Sequence, residues 1–430
     1  MRKLQDRIAL IMKRHRFYLS FLAVLLCTTF AFADKVDSLE ARLPLEEEDS
    51  ILLQIFLQLS QLYQNIDGEK SLSHAEQAYY LAQKIGDSTY TATVTNQLGI
   101  SFYMLGELEK SRFYIEKTLS VHEALGNAPQ IATSLNNMGV LLYAQGKLDQ
   151  ALSYYLKSSE MKEGTDDIQG IAMTLNNIGN VHKDLGNNDK ALDFYQKSIT
   201  WKNQINDEHG IAMTFNNMGL VYMNMEQYEE AEEYYQKSIV VKNKINDQHG
   251  LAMTINNLGE AYTLQGDFGQ AMLMYEQSLE ILDGVGDNQG VARALSNIAD
   301  VYMKTEKFEE AVIKLEKSLE YALASGLKKQ ELDNNNMLYI AHKALGNYDL
   351  ALIYHDRHLF LSDSLLNKDN KKYIQQIQAE YEKKIAQREA RESWMNIEFW
   401  KQYKWRAIAA FIFVISLIVA IRKRVSPKSD

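Results

Sequence analysis

Hydrophobic and polar residues recur along this chain with a period of 40 residues. Between about residues 135 and 259, a hydrophobic residue, two asparagines, another hydrophobic residue and a glycine occur four times. An alanine follows each glycine after twelve residues, and a tyrosine follows that alanine after four more. Spacings of three and four residues place side chains on one face of a helix. Each block is therefore predicted to form two packed helices.

The block from 208 to 247 predicts where these helices begin and end. A first helix is expected from about His209 to Asn224, and a second from about Tyr228 to Ile245. Between blocks, glycine or asparagine precedes aspartate, as in Asn206-Asp207, which predicts a helix stop followed by an N-cap. Blocks are expected to begin near 48, 88, 128, 168, 208, 248, 288 and 328, with a degenerate first and last block.

The spacings of Leu175, Gly179, Ala191, Tyr195 and Ser198 resemble those of the tetratricopeptide repeat. The usual repeat has 34 residues, and the longer unit is similar to the long-repeat branch of this family. The resemblance implies an all-α, α-α superhelical solenoid of about seven to eight helix pairs over residues 48–366. It also implies that the first helices line a concave groove that binds a protein or peptide, without a cofactor and without catalysis.

The groove-facing positions of this family include the asparagine pairs. Because asparagine carries both a donor and an acceptor, a row of asparagines can bind a peptide backbone. The alternative is that they bond across adjacent repeats and only fix the stacking, and both interpretations stay open. The predicted partner-binding residues are Asn136, Asn137, Asn176, Asn177, Asn216, Asn217, Asn256, Asn257, Arg293 and Asn297.

Other recurring side chains favour packing over chemistry. Met173, Met213 and Met253 are expected to pack in the core, with an adaptable groove floor as the alternative. His182 and His342 occupy positions that are aromatic in other blocks, so they are predicted to be core residues. The chain has no P-loop, dinucleotide fingerprint or G-x-S-x-G motif. We therefore predict a protein that is not an enzyme and has no metal site.

Charge and composition narrow the class of partner. The net charge of −10 argues against nucleic acid, because nucleic-acid surfaces need lysine and arginine to neutralise phosphates. The single cysteine, Cys27, excludes a disulfide framework within one chain.

The N-terminal residues resemble an export signal. Residues 1–33 have a basic start, an apolar run from Phe17 to Phe32 and a small-x-small end at Ala31 to Ala33, which predicts a cleaved signal peptide. Translation from Met12 and an uncleaved anchor are the alternatives. Residues 34–47 are predicted to be a linker.

The C-terminal residues predict a membrane anchor. Residues 405–421 are predicted to be a transmembrane helix, because an apolar run follows an aromatic belt and precedes Arg422-Lys423-Arg424. A buried core helix is the alternative. Residues 367–404 are predicted to be a connector helix, either a short dimeric coiled coil or a single solvated helix. The seam of the coiled coil would contain Ile374, Ile377, Tyr381 and Ile385. Residues 422–430 would then form a cytoplasmic tail.

This arrangement resembles the extracytoplasmic half of tetratricopeptide sensor kinases and regulators of Bacteroidetes-type bacteria, without their output domain. It predicts a single-pass, membrane-anchored scaffold that binds its partner on the periplasmic or other extracytoplasmic side. The alternative is a sensory component that transmits ligand binding through the connector and span to a separate membrane partner. The sequence leaves open whether the short tail is the natural end.

Overall fold

A computed structural model describes residues 35–64 and 66–366, with side chains described through residue 363 apart from residue 65. These residues contain helices and turns but no strand, and the helices form eight successive pairs, which we number as repeats 1–8. The prediction of an all-α helical-repeat fold is confirmed for this part of the chain. The residues separate into two compact units, with the division after Ala261.

The helix bounds follow the 40-residue period closely. Unit 1 contains repeats 1–5 and the first helix of repeat 6 as far as Ala261, and unit 2 contains the following residues. The helices are Asp49–Tyr63 and Gly68–Ile85 in repeat 1, Ser88–Met104 and Leu108–Ala124 in repeat 2, Ala128–Ala144 and Leu148–Lys162 in repeat 3, Ile168–Asp184 and Asn188–Gln204 in repeat 4, Glu208–Asn224 and Tyr228–Lys244 in repeat 5, Gln248–Gln265 and Phe268–Val285 in repeat 6, Asn288–Lys304 and Phe308–Ala324 in repeat 7, and Lys328–Ala344 and Tyr348–Leu366 in repeat 8.

The turns between repeats have the predicted stop and cap. Asn206 adopts a left-handed φ of 54°, and the side chain of Asp207 accepts a hydrogen bond of 2.8 Å from the backbone N–H of Gly210. Inside repeat 5, Glu226 has φ 58° at the position where repeat 4 has Gly186. A glutamate there is strained relative to glycine, because its Cβ crowds the backbone.

Glycine and tyrosine set the distance between the two helices of a repeat. A Cβ on Gly179 would lie 2.6 Å from the ring of Tyr195, and one on Gly219 would lie 2.5 Å from that of Tyr235. Both tyrosines are fully buried. A larger residue in place of the glycine would therefore push the helices apart.

A buried serine joins the two helices of a repeat beside this contact. Ser198 Oγ donates a hydrogen bond of 2.7 Å to the carbonyl oxygen of Ala172. Ser238 donates in the same way to Ala212 at 2.8 Å. Each bond is expected to contribute about 1 kcal/mol to stability, which explains a small polar residue at an otherwise apolar position.

Residues 35–42, within the segment predicted to be a linker, are helical. Val36 and Leu39 are buried against Ile55, Leu59 and Tyr63 of repeat 1. This N-terminal segment therefore covers an apolar face of the first helix of repeat 1. A 3-10 turn, Leu43–Leu45, leads into the repeat.

Unit 2 has a core of its own. Leu315, Leu338 and Tyr354 are buried together where repeats 7 and 8 pack. Tyr339 of repeat 8 replaces the usual glycine, and its ring centroid lies 4.5 Å from that of His355, which replaces the usual tyrosine. A contact between two rings therefore replaces the glycine–tyrosine contact in this degenerate repeat.

Several predicted segments lie outside the described residues. They are the signal peptide (1–33), the connector (367–404), the transmembrane helix (405–421) and the tail (422–430). Among the residues that are described, no helix combines the length and apolar character that a membrane crossing requires.

Candidate partner-binding site

The four asparagine pairs lie on the first helices of repeats 3–6, within unit 1. The first member of each pair is the more enclosed: Asn136 and Asn256 are buried, and Asn176 and Asn216 are partly exposed. The second member is partly exposed in every pair. We call these second members, Asn137, Asn177, Asn217 and Asn257, the asparagine row.

Each residue of the asparagine row is bonded to the preceding repeat. Asn137 Nδ2 donates to Asn96 Oδ1 at 2.9 Å, and Asn257 Nδ2 donates to Asn216 Oδ1 at 3.1 Å. The bonds of the other two members are 3.3 Å long, from Asn177 to Asn136 and from Asn217 to Asn180. The row therefore does link adjacent repeats.

These bonds use only part of each amide. An asparagine side chain has two N–H donors and one oxygen with two lone pairs. One N–H is used in each member of the row, and the Oδ1 atoms have no hydrogen bond to another described residue. The row thus leaves a donor and an acceptor at each of four positions, so stacking and partner binding do not exclude each other.

Two methionines lie one helical turn before the row. Met173 is 50% exposed and Met213 is 48% exposed, so the expectation that they pack in the core is wrong. Met253 is partly buried. Flexible thioether side chains therefore lie beside the amides, where they can adapt to different ligand side chains.

Buried lysines support this surface from the second helices. Lys202 Nζ donates to the carbonyl oxygen of Gly210 at 3.0 Å and to Thr214 Oγ1 at 2.7 Å. Lys242 makes the same two bonds one repeat later, to Gly250 and Thr254. We call this arrangement the lysine clasp, because it joins the second helix of one repeat to the first helix of the next.

The lysine clasp is electrostatically costly. Burial lowers the pKa of the Lys202 ammonium to about 8, and the neighbouring Asp207 carboxylate offsets part of this shift. Burial also lowers the pKa of Lys242. The ammonium is stabilised by oxygen acceptors in place of water, which is why threonine and a backbone carbonyl converge on it.

The clasp threonine also reaches the asparagine pairs. Thr214 Oγ1 donates to Asn176 Oδ1 at 3.0 Å, so the ammonium, the hydroxyl and the amide form one chain of contacts. Sequence reasoning missed the clasp. The available signal was the recurrence of lysine at positions 162, 202 and 242, each twelve residues before a threonine.

In unit 2, Arg293 and Asn297 are partly buried on the first helix of repeat 7. A serine replaces the first asparagine of the pair, and Ser296 Oγ donates to Asn334 Oδ1 at 3.0 Å. The cross-repeat bond is thus retained with different residues.

Two predicted core histidines are confirmed as such. His182 and His342 are buried, and their rings stack on Phe194 and Tyr354. Within the described ranges, no three His, Cys, Asp or Glu side chains form a group that could hold a metal ion.

The family comparison agrees with this geometry. Residues 105–164, 130–204 and 210–283 match one tetratricopeptide-repeat model, and residues 294–329 match a second. These segments consist of tetratricopeptide repeats, which confirms the family prediction for this part of the chain. The comparison with curated proteins gave no match.

Solved structures share the fold at low sequence identity. Aspartyl phosphate phosphatase F from Bacillus subtilis is 14% identical, with 78% of this chain and 90% of that chain covered and a TM-score of 0.54. The apo form of RapI is 14% identical, with 64% and 98% covered and a TM-score of 0.52. A Rap protein complexed with Competence and Sporulation Factor is 13% identical, with 75% and 99% covered and a TM-score of 0.50.

Proposed function

We propose that the asparagine row binds an extended segment of a protein or peptide partner. The main observation behind this proposal is that four partly exposed asparagine amides recur every 40 residues. Each of them has an Oδ1 and one N–H that are not hydrogen-bonded to another described residue. A peptide backbone alternates carbonyl and N–H groups, so it can pair with both. The exposed thioethers of Met173 and Met213 would contact its side chains.

The comparisons support a binding scaffold. Tetratricopeptide models match the repeats that carry the row, and a Rap protein of similar fold is known in complex with Competence and Sporulation Factor. We infer on this basis that the chain acts by binding and not by catalysis. The row carries no net charge, so the proposed partner is recognised through its backbone.

The test is crosslinking in cells followed by a pull-down of the full-length protein. The row variant changes Asn137, Asn177, Asn217 and Asn257 to alanine, and loss of specific partners is the expected result. A matched control changes Asn203 and Asn243, which are exposed on second helices, and should retain them. Circular dichroism checks that both variants fold.

A second variant separates binding from stacking. Changing Asn180 to alanine removes the acceptor used by Asn217 but leaves the row itself in place. If the row contacts the partner, this variant should keep more of the partner than Asn217→Ala. Equal recovery from the row variant and the wild type would refute the proposal.

We also propose that the scaffold is exported and anchored by residues 405–421, with the repeats periplasmic or otherwise extracytoplasmic. A homodimer through the connector fits the same arrangement. Fusion of alkaline phosphatase after residue 366 tests this topology, because the enzyme is active only after export. An inactive fusion, with the repeats protected from protease in intact cells, would contradict it.

Signal transmission is the second candidate. It is favoured by the absence of glycine and proline from residues 367–404, which favours one continuous helix between the repeats and the apolar run. If residues 405–421 act only as a membrane tether, replacing them with an unrelated apolar segment should preserve function. Loss of function with normal export and partner binding would favour signalling.

A further inference from the structure

A cavity of about 290 Å³ opens between the first helices of repeats 2 and 3. Its lining includes Thr93 and Asn96 of repeat 2, and Gln130 and Thr133 of repeat 3. His122 closes it from the second helix of repeat 2. Since Asn96 is the hydrogen-bond acceptor of Asn137, the cavity adjoins the asparagine row. We call it the repeat 2–3 pocket.

The pocket exists because this junction has shorter or differently shaped side chains than later junctions. His122 occupies the position of Lys202 in the lysine clasp, and it meets Ser134 where Lys202 meets Thr214. Thr133 occupies the position of Met173, whose longer side chain would extend into this space. The same backbone arrangement therefore holds a cavity here.

The pocket presents both donors and acceptors. Thr93 Oγ1 and Thr133 Oγ1 donate their protons to backbone carbonyls of their own helices, at 2.9 and 3.1 Å, so their lone pairs remain as acceptors. Asn96 accepts through its oxygen and keeps its N–H groups as donors. This pattern matches a primary carboxamide, which has one acceptor oxygen and an NH₂ donor.

The pocket has no formal charge in its lining. None of its lining residues is Lys, Arg, Asp or Glu, and burial lowers the pKa of His122 below its usual value, so the imidazole is neutral at pH 7. A charged ligand group would lose its hydration there without a counter-ion. A neutral polar group is therefore favoured over a carboxylate or an ammonium.

We infer that the repeat 2–3 pocket receives the carboxamide side chain of a glutamine or asparagine residue from the peptide that lies along the asparagine row. This inference rests on the proposed function and adds a side-chain preference to it. The volume is at the lower end of the range for small-molecule sites, which suits one residue with its adjoining backbone.

The probe is N-acetyl-glutamine N′-methylamide, a blocked single residue, added to the full-length protein and observed by saturation-transfer NMR. We expect transfer to its side-chain methylene protons, with at least about tenfold weaker binding of the glutamate counterpart. Thr133→Met should abolish the transfer, because it introduces the side chain that repeat 4 has at Met173. Thr200→Met makes the same substitution on an exposed threonine of the second helix of repeat 4, outside the pocket lining, and should leave the transfer unchanged.

The outcomes separate the two proposals. No transfer from the glutamine probe, or equal transfer in wild type and Thr133→Met, overturns the pocket inference. If the pull-down partner is still lost from the row variant, the proposed function stands without it. If the probe binds as expected but the row variant retains every partner, the proposed function fails and the pocket survives as an isolated carboxamide site.

Discussion

The junction between repeats 2 and 3 differs from the junction between repeats 4 and 5 although the backbone arrangement is the same. In the first, His122 Nδ1 lies 2.9 Å from Ser134 Oγ and leaves a cavity at its side. In the second, Lys202 spans the space and bonds Thr214 at 2.7 Å. The residues at the Lys202 and Met173 positions therefore decide together whether a junction holds a buried charge or an open polar site.

The comparison shows how an array of similar repeats can carry a local site. The glycine–tyrosine contact fixes the helices of repeats 3 to 5 alike, as at Gly139 and Gly219. The position of the clasp lysine lies outside that contact, so the residue there can vary between repeats without altering the spacing of the helices. Repeats 3–5 use it for Lys162, Lys202 and Lys242, whereas repeat 2 uses it for a neutral residue.

The largest expected effect comes from removing the hydroxyl of the lysine clasp. Thr214→Val keeps the shape but removes the acceptor of a buried ammonium and the donor to Asn176. We expect a loss of about 2–3 kcal/mol in the free energy of unfolding. Urea unfolding of the full-length protein measures it through Trp201 fluorescence, isolated by subtracting the signal of Trp201→Phe.

Two comparisons test whether this loss belongs to the clasp. Thr200→Val makes the same chemical change on an exposed threonine of the neighbouring helix and should cost under about 0.5 kcal/mol. In a Lys202→Met background, Thr214→Val should cost much less, because the ammonium is gone. An equal cost with and without Lys202 would show that the clasp adds nothing.

The second effect is a pH dependence that arises at Lys202. The folded-state pKa of Lys202 is about 8, below its usual value of about 10.4. The unfolded chain therefore binds more protons between these values, and stability rises with pH in that window. We expect a gain of about 2 kcal/mol between about pH 7.5 and 9.5 from this lysine.

Lys202→Met should remove that gain. The measurement is the urea midpoint of the Trp201 signal at several pH values, in wild type and variant. The slope of the unfolding free energy against urea concentration should be the same at each pH. Lys237→Met is a suitable control, since Lys237 is exposed and paired with Glu233 on the same helix. A wild-type curve that is flat, or a variant that keeps the gain, contradicts the assigned pKa shift.

Periodicity predicted the fold because it reports on packing that every repeat shares. Gly179 and Tyr195 recur because the glycine leaves room for the tyrosine ring between the two helices, and Asp207 recurs because it caps the first helix. The predicted helices of repeat 5 agree with Glu208–Asn224 and Tyr228–Lys244. These features depend on local sequence and on spacing along one helix.

The site was less predictable because it depends on neighbouring repeats. Lysine is usually exposed, so nothing at Lys202 alone indicates burial between Gly210 and Thr214. Met173 has a residue type typical of a core but lies on the face that adjacent repeats leave open. The repeat 2–3 pocket arises in part because Thr133 has a shorter side chain than Met173 and Met213, which occupy the equivalent positions in later repeats. This difference is recognised as a cavity only when the junctions are compared in the structure.

A smaller effect is expected at the histidine junction. Ser134→Ala removes the partner of a neutral imidazole, so it should cost about 1 kcal/mol, less than Thr214→Val. Hydrogen exchange at pH 7, followed in peptides from Leu108–Ala124 and Ala128–Ala144, measures the local opening free energy. Ser153→Ala is the control, because Ser153 lies on the second helix of repeat 3 and makes no hydrogen bond to His122. A cost equal to that of Thr214→Val would remove the distinction between charged and neutral junctions.

The smallest effect on stability should come from exchanging the residues that distinguish an open junction from a filled one. Thr133→Met and Met173→Thr both lie on partly exposed positions outside the glycine–tyrosine contact, so each should change the opening free energy by under about 0.5 kcal/mol. Hydrogen exchange of Ala128–Ala144 and Ile168–Asp184 measures the two changes side by side. If Thr133→Met instead destabilised its helix by more than about 2 kcal/mol, the added thioether would be clashing with packed atoms and the space would not be an open cavity. A neutral result means that the repeat scaffold tolerates both residues, so the difference between the junctions is one of accessible volume, which a bound residue can use.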